Sequence, residues 1–400
     1  MTINTAIPNI DSPNYELSAD QMELREQALK YFMSDFHPLQ ERMDNEDWWP
    51  EHAFPKLGEM GYLGQTVDEE YGGAGLDYLT SGVISEVMTY ANPAVAFSWM
   101  GHDNLCLNNI FRSGNADQRS RYVPKMCSGE WIGALGMTEP GAGSDALGSM
   151  RTRARREGDH YILNGTKLFI TNGPIADVLL VYAKTDMEKG TRGISAFIVE
   201  KGFEGFRVAQ KLDKMGFRGS PLGELVFDDC KVPVENLVGN ENQGARVMMT
   251  GLDIERAMAV PFAIGIGQRA LDLALEYAKT REQFGKPISN FQMIQSKLAE
   301  MYIRLEAARS FAYRALAACD NMPHGETGRG DIHKMTAAAL FHSAEAATFI
   351  ADEAVQIHGG MGYMRETEIN RLYRCTKILE IAAGTQEVRK MIIAGELLKS

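Results

Sequence analysis

The chain reads as mainly helical with a β domain in the middle: a helical N-terminal domain over 1–130, a β-barrel over 131–241 and a C-terminal four-helix bundle over 242–400. Three observations predict this. Apolar residues recur every three to four positions from about Ser18 to Glu130. Short β-prone runs broken by Gly, Asn and Asp fill Trp131 to Val238. The helical period then returns, in long segments, from Asn242 to Leu398.

In the first part, Ser18 with Gln21 three residues on makes a capping box ahead of Met22. Tyr78 to Tyr90 and Ala94 to Phe111 keep helical spacing. In the middle part, His160 to Leu163, Val178 to Tyr182, Gly193 to Val199 and Gly223 to Phe227 read as strands. The Asn164-Gly165 pair predicts a tight hairpin between Leu163 and Lys167. Strands at this spacing build a barrel or sandwich. In the last part, Ile294, Leu298, Met301, Leu305, Ala308 and Ala312 form one stripe along Gln292 to Cys319, and Asp331 to His358 is Ala-rich with few breakers. Four long helices joined by short turns suggest an antiparallel bundle, with Pro261 bending the first of them.

Four hundred residues suit two or three domains, and 44% hydrophobic with 24% charged residues is ordinary for a globular protein. The net charge of −12 argues against nucleic acid and anionic membrane surfaces. Cys106, Cys127, Cys230, Cys319 and Cys375 make no C-x-x-C pair, as expected of reduced, mostly buried thiols. Met1 to Asp20 holds no Arg, Lys or apolar run, and no stretch approaches eighteen apolar residues. The expectation is a bacterial cytoplasmic protein, or a trimmed mature form, with no membrane span. No metal-ligand spacing is visible among the histidines.

Chemistry concentrates in a few segments. Leu135-Gly-Met-Thr-Glu-Pro-Gly-Ala-Gly-Ser-Asp145 offers glycines for close backbone approach and small hydroxyls for polar edges. Taken alone, it is equally a Gly-rich surface turn. Phe169-Ile-Thr-Asn-Gly173 sets an aromatic ring beside a hydroxyl, though an aromatic at a strand end is usually core. Arg281-Glu-Gln-Phe-Gly285 with Gln292 has a guanidinium suited to phosphate, or a solvated helix end. Gln356-Ile-His-Gly-Gly360 reads as a helix stop. Near the end stands Ile381-Ala-Ala-Gly-Thr-Gln-Glu387, and earlier Thr250-Gly-Leu-Asp-Ile-Glu-Arg256, where Glu255 alone would be solvated surface.

In this order and spacing the segments resemble the acyl-CoA dehydrogenases, from about Leu17 to the end, and most of all the isovaleryl-CoA dehydrogenases. The resemblance implies that family's fold, an FAD cofactor, and electrons passed to an electron-transfer flavoprotein. It implies FAD contacts at Leu135, Met137, Thr138, Gly143, Ser144, Phe169, Ile170 and Thr171. Arg281, Phe284, Gln292, Gln356, Gly359 and Gly360 would clasp the cofactor of a neighbouring subunit in a homotetramer, a dimer of dimers. Thr385 and Glu387 complete the set. Most members place the proton-abstracting glutamate just before the Gly-Thr, where this chain has Ala383; the resemblance makes Glu255 the relocated base. The Ala383 N–H, just before Gly384, keeps the thioester-carbonyl contact. Glu139 and Asp145 are structural in this reading. Ser144, Asp253 and Arg256 would meet the substrate, and Thr191 and Arg192 its outer end.

The resemblance therefore implies α,β-dehydrogenation of an acyl-CoA, a short branched one such as isovaleryl-CoA. Two pocket positions depart from those enzymes: Ala259 in place of leucine and Ala382 in place of glycine. They point to the alternative of a longer branched or terpenoid, citronellyl-type acyl chain. Oxidase chemistry on the same fold, and a non-catalytic DNA-associated relative, are the other readings; the acidic charge weighs against the last.

Overall fold

The computed structural model describes residues 16–322 and 329–399. Most of the expectation about the chain's start, up to residue 15, lies outside the described residues.

Among the described residues, seven α-helices precede the sheet: α1 (Ala19–Asp35), α2 (Gln40–Glu46), α3 (Ala53–Glu59), α4 (Tyr78–Ala91), α5 (Pro93–His102), α6 (Asn108–Ser113) and α7 (Ala116–Cys127). The capping box is present: Gln21 N–H donates to Ser18 Oγ at 3.2 Å, and Ser18 N–H to Gln21 Oε1 at 2.9 Å. The one helix expected over Ala94 to Phe111 is instead α5, a π-helical turn over Asp103–Leu107, and α6. Side-chain ties account for the bulge. Buried Asp103 accepts the Gly64 N–H at 2.5 Å, and the His102 ring accepts the Gly133 N–H at 2.8 Å.

The middle strands are β1 (Gly133–Gly136), β2 (Arg153–Glu157), β3 (His160–Thr171), β4 (Val178–Lys184), β5 (Ile194–Glu200), β6 (Phe206–Lys211), β7 (Leu222–Pro233) and β8 (Leu237–Val238). They form one sheet in the order β6-β7-β3-β2-β4-β5-β8, with β1 parallel to β4. Leu179, Val181, Phe197 and Val199 meet Leu163, Leu225, Phe227 and Val232 in a core built from the sheet alone. On the opposite face of β4, Val178, Leu180 and Tyr182 pack against the helices.

The hairpin expected at Asn164-Gly165 is not there. β3 runs through that pair, and the tight turn falls at Gly158-Asp159, joining β2 to β3. Asn164 serves the neighbouring strand instead: it bonds Asp229 in both directions at 3.0 Å, across a bulge between β3 and β7. Gly165 is needed because a side chain would strike Thr152 Oγ1, 2.4 Å from its Cβ position. β1, β2 and β6 escaped the sequence reading, being short or, for β2 and β6, charged and largely exposed.

The last part holds α8 (Gly244–Thr280), a small hairpin of β9 (Glu282–Gln283) and β10 (Lys286–Pro287), then α9 (Gln292–Asp320), α10 (Asp331–His358), α11 (Glu368–Leu379) and α12 (Gln386–Leu397). The predicted stripe on α9 faces the core from Met301 to Ala312, with Ile294 and Leu298 half-buried. α8 is continuous through Pro261. Among the described residues, one helix, α8, is long and apolar enough by length and composition to cross a membrane, with mean hydropathy 1.3, but 72% of that stretch is buried inside the protein. It is the core helix of the bundle. The fourth helix of the expected bundle is split in two, because Ala383 (φ 55°) and Gly384 (φ 91°) are left-handed and Thr385 caps a new start. That break lies opposite Glu255.

Candidate active site

Glu255 lies about one third of the way along α8 and is 9% exposed. Burial pushes its carboxyl up to about 7, while the nearby Arg256 and Arg389 guanidinium groups pull the other way. Buried Tyr182, on β4, carries a phenol pushed up by burial, Cys106 and Glu255. A carboxyl group held near neutrality in a wall of this kind is poised to take a proton.

Facing it is the turn between α11 and α12. Arg256, next to the base, donates from Nε to the Ala383 carbonyl at 3.2 Å, so the helix with the glutamate and the turn that lacks one are bonded together. Arg256 Nη1 also donates to Asp253 Oδ1 at 3.1 Å, and that oxygen meets His333 Nδ1 at 2.5 Å. Asp253 and Arg256, expected against the substrate's CoA portion, are both buried, and their charged ends bond each other, His333 and the Ala383 carbonyl.

The two segments expected around the flavin are adjacent. β1 leads into Met137-Thr138, and Leu168 N–H donates to the Thr138 carbonyl at 2.8 Å. Fully buried Lys167 donates to Met137 O at 3.1 Å and to Glu139 Oε1 at 2.8 Å. Glu139 also accepts the N–H groups of Arg151 and Thr152 at 2.6 and 3.0 Å, and Asp145 accepts the Gly148 N–H and the Ser149 hydroxyl. Both carboxylates are consumed in holding the loop, in keeping with the structural role read for them. The β3 ladder slips between Lys167 and Ile170, which throws Phe169 out of the strand at φ 61° with its ring 60% exposed. An apolar ring held outward in a strained conformation, with Thr171 half-buried beside it and open space at Gly143, fits a planar aromatic cofactor. Leu135 is half-buried, Ile170 buried and Ser144 exposed on the same rim; Thr191 and Arg192 are exposed in a short 3-10 turn.

The remaining expected cofactor residues are not brought here. Arg281 follows α8, 281 − 255 = 26 residues past the base, which is ~39 Å at ~1.5 Å per residue. Tyr277 stacks on His358 at 4.4 Å, so the Arg281–Phe284 hairpin, Gln292 and the Gln356–Gly360 segment share the far end of the bundle. Phe284 is 92% exposed there. Thr385 and Glu387, by contrast, lie on the turn facing Glu255.

Sequence reasoning missed Arg389, His333 and Tyr182. Tyr182 and His333 lie in segments legible only as strand and helix, and all three come to the site only through tertiary packing.

Matches to known families cover most of the described fold. Residues 18–130 match the acyl-CoA dehydrogenase N-terminal domain, 134–230 the middle domain and 242–398 the C-terminal domain. The mitochondrial isovaleryl-CoA dehydrogenase of Pongo abelii is 44% identical over 388 residues, 96% of this chain and 90% of that protein. The mitochondrial 2-methylacyl-CoA dehydrogenase of Solanum tuberosum is also 44% identical, over 96% of this chain and 92% of its own length. Butyryl-CoA dehydrogenase from Megasphaera elsdenii superposes with a TM-score of 0.91 at 37% identity, covering 96% of this chain and all (100%) of that one. On the fold, the three matched domains and these relatives, the chain belongs to the acyl-CoA dehydrogenase family of oxidoreductases.

Proposed function

We propose that this protein dehydrogenates a short branched acyl-CoA such as isovaleryl-CoA between Cα and Cβ, with Glu255 as the base. The observation that carries the reading is the pairing of a buried carboxyl group near pH 7 with a facing turn that has alanine at 383. The Glu255 carboxylate takes the α-proton, and the Ala383 N–H donates to the thioester oxygen, where charge develops. FAD, held by Thr138, Gly143, Ser144, Phe169, Thr171, Thr385 and Glu387, supplies when bound the acceptor for the β-hydride. Arg256, paired with Asp253, ties the helix of the base to the Ala383 turn, Ser144 lines the site, and Thr191 with Arg192 suits the outer end of CoA. An electron-transfer flavoprotein then collects the electrons.

The ~39 Å between Glu255 and Arg281 exceeds what one dinucleotide spans, which supports a cofactor clasped by Arg281, Phe284, Gln292, Gln356, Gly359 and Gly360 of a second copy; the homotetramer, a dimer of such pairs, rests on the family resemblance. Five buried free thiols suit a reducing compartment, which a bacterial cytoplasm and a mitochondrial matrix both provide.

The longer-chain reading rests on Ala259, buried one turn beyond Glu255 with only a methyl group to fill the wall. The test is anaerobic bleaching of the flavin band with isovaleryl, 2-methylacyl, straight-chain and citronellyl thioesters. Fastest bleaching by isovaleryl-CoA supports the leading reading; fastest bleaching by the citronellyl thioester transfers it to the longer chain. Glu255→Gln should bind thioester and bleach slower by ~10²–10⁴-fold; bleaching at the wild-type rate removes Glu255 from the role.

A further inference from the structure

Arg389 is fully buried, yet it makes no ion pair among the described residues. It lies in the first turn and a half of α12, and its side chain folds back over the turn that precedes the helix. Nη2 donates to the Ala382 carbonyl at 2.5 Å and Nη1 to Gln386 Oε1 at 2.8 Å, while Nε has no partner. Gln386 is itself fixed, its amide donating to Phe341 O at 3.1 Å. Its direct hydrogen-bond partners are uncharged, and the Glu255 and Glu380 carboxyl groups act on it only from beyond ion-pair distance, so direct ion pairing does not explain its burial.

The carbonyl it grips explains it. Ala382 C=O and Ala383 N–H belong to one peptide unit, which is planar, with the two groups pointing in opposite directions. Fixing the oxygen therefore aims the N–H. The bond is charge-assisted, and a cation on the oxygen draws electron density along the amide and makes the N–H a stronger donor. Arg256 holds the next carbonyl, that of Ala383, at 3.2 Å, so both peptide planes flanking the left-handed Ala383 are pinned. Left to itself, an alanine disfavours that conformation, because its Cβ crowds the backbone there.

We propose that Arg389 is a positioning residue for the dehydrogenation: by holding the Ala382 carbonyl it directs and polarises the Ala383 N–H toward the substrate's thioester oxygen. This rests on the assignment of that N–H as the carbonyl donor.

The test uses holoenzyme with a bound, non-reacting 3-thiaacyl-CoA carrying a ¹³C-labelled carbonyl, read by difference infrared spectroscopy. Wild-type protein should lower the carbonyl stretch relative to free thioester. Arg389→Met should return part of that shift and lower kcat ~10–100-fold, with KM changing far less. If Arg389→Met does not retain flavin, Arg389→Lys, with one point charge in place of the fork, decides: an intermediate shift supports the proposal and a full one overturns it. Glu255→Gln serves as the reference, losing turnover while keeping the shift. Absence of any shift in wild type removes the N–H assignment itself; a full shift in both Arg389 variants, with unchanged kcat, removes only Arg389.

Discussion

At the scale of single residues, the protein stores a conflict at Glu255. Its carboxyl sits at about 7 because burial outweighs the pull of Arg256 and Arg389. The base works only when ionised, so kcat/KM should fall about tenfold per pH unit below that value and level off above it. A pH–rate profile without that limb would separate Glu255 from proton removal. The same shift bears on stability. The folded pKa is raised above the unfolded one, so the contribution is fully present below about 4.5 and is lost as pH rises through about 7. Glu255→Gln, which is never charged, should consequently be more stable than wild type at pH 8 by on the order of 3 kcal/mol, with the gain vanishing near pH 4.5. Calorimetry at the two pH values checks this. Activity and stability thus pull in opposite directions at one side chain.

At the scale of elements, the slip in β3 that expels Phe169 begins at Lys167, whose buried pair with Glu139 ties the strand to the loop after β1. Burial lowers the Lys167 ammonium to about 8, and Lys167 in turn helps hold Glu139 below the usual carboxylate range. Lys167→Met leaves Glu139 buried without its cation and should destabilise the fold by ~3–5 kcal/mol, with Lys167→Met/Glu139→Gln recovering part of it. Denaturant titration with flavin release as a second probe checks both effects. Elements of this kind also mark where sequence reading stopped. The capping box at Ser18, the α9 stripe and the α10 run were legible because each is a local periodic signal. The Asn164-Gly165 pair misled because its turn preference yielded to a side-chain bond across the sheet to Asp229. Within the site, Glu255 and the flavin segments could be found as motifs. Arg389, His333 and Tyr182 could not, since what makes them matter is a partner far away in sequence.

At the scale of the whole molecule, α8 carries the base near one third of its length and Arg281 just beyond its end. If each cofactor is shared, Glu255→Gln copies and Arg281→Ala copies complement one another. Each alone should be nearly inactive, whereas mixed and reassembled protein should regain native centres at about a quarter of sites, since half the pairs are hybrid and one centre in each is intact. Titrating activity against mixing ratio checks this, and no recovery would mean that Arg281 serves its own chain. Phe284→Asp, which places a charge on a 92%-exposed ring, should shift the assembly toward smaller species in sedimentation.

That long central helix has a further corollary under the shared-cofactor reading. A damaged residue at its far end would then disable a centre whose base belongs to another copy, so a defective copy would silence a sound one beside it.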